Sequence, residues 1–146
     1  MEDTLLGYEG RWVGSFTLHS TATGYSETFP VEQQYQWKNE MLHGIGVCQR
    51  KSGIESSRSV TYVEEGKLIS EIQRGEETEM FLGVLHEGGV LWVPADLQRA
   101  NDYQIKESLV EAEGQRILKT AGFDSYVYQD ELAHIVYRGA LIFQSE

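Results

Sequence analysis

Along most of this chain, apolar and polar residues alternate one by one. In FPVEQQYQW, Phe29, Val31, Tyr35 and Trp37 fall on one face, and Glu32, Gln34, Gln36 and Lys38 fall on the other. DYQIKESLVE sets Tyr103, Ile105 and Leu109 against Gln104, Lys106 and Ser108. HIVYRGALIF does the same with Ile135, Tyr137, Leu141 and Phe143 against His134, Val136, Arg138 and Ala140. In SVTYV, Val60 and Tyr62 alternate with Ser59 and Thr61, and the larger pair is expected to face the core. A period of two is the signature of a strand, because successive side chains point to opposite faces. Helical spacing is expected only at TLLGYE, as one short N-terminal turn.

Short polar segments, most of them with glycine, punctuate these runs: TATGYS, KNE, KSG, EEGK, RGEE, HEGG, RAND, EAEG and YQDE. Turn signals about 8–14 residues apart mark an antiparallel chain that runs up and down. The prolines, Pro30 and Pro94, cannot donate to a ladder and should mark a strand start, a bulge or an edge. GIG at 44–46 precedes strand residues rather than a helix, which fits a bulge or a close strand crossing. Many short strands with few long connections hide their edges best by closing on themselves. The expected fold is therefore all-β: an antiparallel up-and-down (meander) barrel of about 8–10 strands with a short N-terminal helical turn. Residues 1–146 should form one domain.

Gly10 and Trp12 open the first strand in EGRWVGSF, and Arg138 lies on the last. This G-x-W with a late-strand arginine resembles the lipocalin-like barrels of the calycin superfamily. The resemblance implies that Gly10 allows close chain approach, Trp12 plugs the barrel floor, and Arg138 or another late basic residue stacks on the indole. A cation over an indole contributes roughly 0.5–2 kcal/mol. The chain departs from many lipocalins in lacking a clear central T-D-Y motif and any disulfide. A fainter likeness joins VLWVPADLQRA, through Trp92, Leu97 and Arg99, to calycins of the bilin-lyase type.

Charge narrows the partners. A net charge of −11 disfavours nucleic acid and anionic membrane surfaces. MEDTLLGYEG has no basic segment followed by an apolar run, so a cytoplasmic location is expected. Cys48 is the single cysteine, which rules out an intrachain disulfide and suits a small buried apolar residue. His19, His43, His86 and His134 form no metal-ligand spacing, and no nucleophile elbow or phosphate loop is present. The acidic clusters coincide with turns, where water solvates them. No catalytic or metal site is legible, and the balance leans away from an enzyme.

Binding is the better-supported function: a small, largely apolar ligand, fatty-acid-like or tetrapyrrole-like, held inside the barrel. The candidate ligand-binding residues are Arg58, Tyr35, Trp37, Tyr62, Trp92 and Tyr103, with Gly10, Trp12 and Arg138 as the structural floor. Arg58 could meet a carboxylate bidentately. Gln33, Glu107 and Lys119 share apolar faces and either orient a ligand or, after a phase shift, face water. Two alternatives remain open. One is a non-enzymatic interaction domain, monomer or homodimer, with a filled core and apolar outer positions such as Ile45, Val47, Phe81 and Leu85. The other is a calycin-type enzyme or a bilin or haem maturation factor. The cofactor is unknown.

Overall fold

The computed structural model describes residues 1–145. A five-residue helix α1 (Glu2–Leu6) precedes ten strands: β1 (Gly10–Ser20), β2 (Ser26–Lys38), β3 (Met41–Arg50), β4 (Gly53–Glu64), β5 (Lys67–Arg74), β6 (Glu77–His86), β7 (Gly89–Pro94), β8 (Tyr103–Ala112), β9 (Gln115–Tyr128) and β10 (Glu131–Ser145). Each strand pairs antiparallel with the next, and β10 returns to pair with β1. The result is a closed ten-stranded meander, at the upper end of the strand count expected. It is compatible with a calycin-like fold.

All nine polar segments of the sequence join consecutive strands. At the end of the barrel that carries α1, the turns are the two-residue pairs Asn39–Glu40, Glu65–Gly66, Glu87–Gly88 and Glu113–Gly114, each with positive φ at both positions. Such turns match the right-handed twist of the flanking strands and keep this end compact. Pro30 sits where the β2–β3 ladder stops at Val31, and Pro94 ends β7, so neither costs a ladder hydrogen bond within a run.

The interior is laid down by alternate residues of every strand. Trp12, Leu18, Phe29, Leu42, Leu68, Phe81, Leu118 and Leu141 form its buried core. Phe81 was expected on the outer face; it is buried within the barrel, whereas Ile45 and Val47 are exposed. The phase expected for β4 is also corrected. Thr61 is buried and Ser57 and Ser59 line the interior, while Arg58, Val60 and Tyr62 border a depression on the outside. Lys119 likewise faces out, between the buried Leu118 and Thr120. No helix among the described residues is long and apolar enough to cross a membrane.

Candidate functional site

The floor is built around Trp12. Gly10 has φ of +127°, a backbone conformation closed to side chains bearing Cβ, and the β1–β10 register shifts between Arg11 and Trp12. The indole is fully buried, donates from Nε1 to the Tyr8 carbonyl at 2.8 Å, and meets Phe143 edge-on at 5.3 Å. The cation beside it is Arg116 of β9. Its guanidinium lies 5.5 Å from the Trp12 ring and 4.5 Å from Phe143, and it donates to the Gly7 carbonyl at 2.8 Å. The same side chain thus ties the end of α1 to the barrel.

Arg138 does not take part. It occupies an exposed position opposite Thr17 and Ala121, while Trp12 pairs with Phe143, five residues further along β10. Interior positions of β10 are odd-numbered, as for Tyr137 and Leu141 against this wall, so an even-numbered residue is on the wrong face.

Above the floor lies a cavity of about 180 Å³. It runs from Leu5 and Tyr8 to Arg74, an exposed residue at the last position of β5. Its two sides differ in chemistry. One is small and polar, with Gly46, Ser57, Ser59, Thr61 and Ser70 from β3, β4 and β5. The other is large and aromatic, with Phe81, Trp92, Tyr103, Ile105 and Glu107 from β6, β7 and β8. A small barrel is normally filled by its own side chains, and the small residues at these five positions, beside Leu42 and Ile72, leave room that larger ones would take. Glycines let the large wall stand close to its neighbours. A Cβ on Gly83 would lie 2.7 Å from the Trp92 ring, and one on Gly44 would lie 2.8 Å from Tyr35. GIG was expected to mark a bulge or a close strand crossing; instead Gly44 and Gly46 sit in regular ladders with β2 and β4, and Gly44 makes room for the side chains of Tyr35 and Ser59.

Among the described residues, Glu107 is the one acid in the cavity wall. Trp92 Nε1 donates to its Oε1 at 2.8 Å, and the Tyr8 hydroxyl donates to the same oxygen at 3.2 Å. Burial pushes the carboxyl above the usual range, and those two hydrogen bonds pull partly the other way. The Tyr35 hydroxyl donates to Gln33 Oε1 at 2.6 Å, and Thr61 and Ser70 share a buried hydroxyl–hydroxyl bond of 2.9 Å. Burial raises the phenols as well: Tyr8 and Tyr35 lie well above the ordinary tyrosine value, and Tyr103 is pushed up to about 12. All three stay neutral near pH 7, so they offer hydroxyls rather than charge.

Of the residues expected to bind a ligand, Tyr35, Trp92 and Tyr103 line this cavity together. Trp37 packs against the core beside it, its backbone N–H donating to Glu9 Oε2 at 2.8 Å. Arg58 and Tyr62 are outside, where the Tyr62 hydroxyl donates to Glu71 Oε2 at 3.0 Å. Of the polar residues expected on apolar faces, Gln33 and Glu107 line the cavity. Tyr8, the hydroxyl row of β4 and β5, and Arg116 were not singled out. The alternation of Ser57, Ser59 and Thr61 was a visible signal, obscured because the opposite face of that strand is the more apolar one.

In VLWVPADLQRA, Trp92 is in the cavity wall but Leu97 is 88% exposed. Arg99 is held by Glu79 at 2.7 Å and lies 3.6 Å from Asp124, over the Tyr103 ring. Cys48 is a free thiol whose pKa burial raises, which disfavours the reactive thiolate. Among the described residues, no group of three or more His, Cys, Asp or Glu side chains could hold a metal ion. No protein-family model, curated protein or solved structure matches this chain.

Proposed function

We propose that this chain is a calycin-like binding protein that holds a small, largely apolar molecule inside the barrel. The observation that carries this is the cavity of about 180 Å³ with one hydroxyl-rich side and one aromatic side. Apolar walls with a few convergent polar groups are the usual makeup of a ligand site. Size refines the ligand. A cavity of about 150 Å³ holds a benzene molecule, whereas pockets for drug-sized ligands run to roughly 300–1,000 Å³. A single-ring compound suits this interior; a fatty acid or tetrapyrrole would need the side chains to move apart. Arg99 is already engaged by two carboxylates, which further disfavours a tetrapyrrole-handling role for its loop.

Titration with 2-phenylethanol tests the proposal, followed by the methyl resonances of Ile105 and Thr120 and by tryptophan fluorescence. Saturable one-to-one binding is expected. Thr120→Leu, which adds volume to the cavity wall, should weaken it at least about tenfold, as displacing a ligand from a packed site does. Absence of saturable shifts up to the solubility limit, or binding indifferent to Thr120→Leu, would refute an interior site.

A further inference from the structure

Glu107 makes only half of the contacts its carboxyl can make. Both hydrogen bonds end on Oε1, while Oε2 receives none from the described residues, although Glu107 lines the cavity. Among the described residues, no cation pairs with Glu107. Arg74 is the only arginine or lysine of the cavity lining among the described residues, and it sits at the end away from α1. The titratable groups that face Glu107 are phenols, Tyr8 from the segment after α1 and Tyr35 from β2, and the Glu107 charge pushes both further from ionisation. The other neighbour is the Trp92 indole of β7.

A carboxyl with a free oxygen among aromatic rings has the chemistry that recognises an organic ammonium. The oxygen accepts the N–H donors of the ligand, and the ring faces attract its charge. The net charge of −11 favours the approach of a cation over that of an anion. We infer that the barrel takes a small primary amine of single-ring size, its ammonium on Glu107 Oε2 and its apolar body among Phe81, Tyr103 and Ile105. This inference rests on the interior being a ligand site.

The proton balance follows. In the free protein, burial favours the neutral acid; an ammonium beside Oε2 favours the carboxylate. Binding a protonated amine to the neutral acid therefore leaves an ion pair and releases the Glu107 proton to solvent. Wherever Glu107 is protonated in the free protein, affinity should rise with pH by up to about tenfold per unit. The rise stops when Glu107 is already ionised or the amine itself begins to lose its proton.

The test uses 2-phenylethylamine and 2-phenylethanol, which share a body and differ in the end group. Calorimetry in two buffers of different ionisation enthalpy counts the protons released by the unaltered protein, with no variant needed. The amine should bind at least about tenfold tighter than the alcohol, with proton release wherever Glu107 is protonated in the free protein. Glu107→Gln keeps an oxygen for Trp92 and Tyr8 and should remove most of the preference for the amine over the alcohol. Equal affinities, or an amine preference that survives Glu107→Gln, would overturn the assignment. Binding of the alcohol with rejection of the amine would overturn it while leaving the interior site intact. Failure of both compounds would overturn both.

Discussion

Trp12 holds the floor through contacts of three kinds: the Nε1 hydrogen bond to Tyr8, the edge of Phe143 and the guanidinium of Arg116. Trp12→Ala removes all of them and opens a void in a fully buried site, so a loss of about 3–5 kcal/mol is expected. Arg116→Met keeps much of the apolar stem but loses the cation and the donor to Gly7, and should cost about 1–2 kcal/mol. Arg138→Ala, on an exposed outer position, should stay within about 0.5 kcal/mol. Urea midpoints of the three variants check this order, and equal costs at Arg116 and Arg138 would contradict it. The G-x-W pair was legible because glycine and tryptophan are adjacent to a local strand start. The partner cation was not, since register across β9, β10 and β1 decides which arginine reaches the indole.

At the level of elements, turns were the most legible feature because glycine and paired polar residues act locally. Strand phase was legible where the inner face is also the more apolar one, as in β2, β8 and β10. It failed in β4, where the interior side carries Ser57, Ser59 and Thr61 and the outer side carries Val60 and Tyr62. A wall that borders a polar cavity inverts the ordinary apolar-in pattern, so that misreading coincides with the candidate site. The far end of the barrel has its own tie between elements. Glu27, with a side chain 3% exposed near the start of β2, pairs with Arg50 at the end of β3 and accepts the Lys51 backbone N–H at 2.9 Å. The Arg50 and Lys51 hydrogen bonds hold its pKa down to about 2, and the Tyr25 hydroxyl adds a third. A folded-state pKa below the unfolded one means that this stabilisation is present above about pH 4.5 and fades as pH falls through about 2. Glu27→Gln should therefore have a lower urea midpoint than the unaltered protein at pH 7, and the gap should narrow steadily between pH 5 and pH 2. A gap independent of pH would mean that the carboxylate charge is not what joins the two hairpins.

For the molecule as a whole, closure is the decisive property, because it leaves no strand edge open to pair with another chain. The seam is the β1–β10 ladder, the one pairing in the barrel between strands far apart in sequence. Its close fit depends on Gly14. A Cβ there would collide with the Ala140 carbonyl oxygen and lie 3.0 Å from the Leu141 Cα, so its three nearest obstacles are backbone of β10 rather than flexible side-chain ends. Gly14→Ala must then push β10 outward, and overpacking of this sort costs roughly 1–3 kcal/mol. Every other ladder joins neighbours through a turn and stays tethered when strained, whereas the seam has no such link. Strain at Gly14 should accordingly appear first as faster amide hydrogen exchange along β1 and β10, with β4 to β6 on the opposite side little changed. The exposed edges should also make the variant more prone to association as concentration rises. Uniformly faster exchange in all ten strands would instead mean that the barrel opens only by unfolding completely, and an unchanged midpoint would mean that the seam can absorb a methyl group without parting.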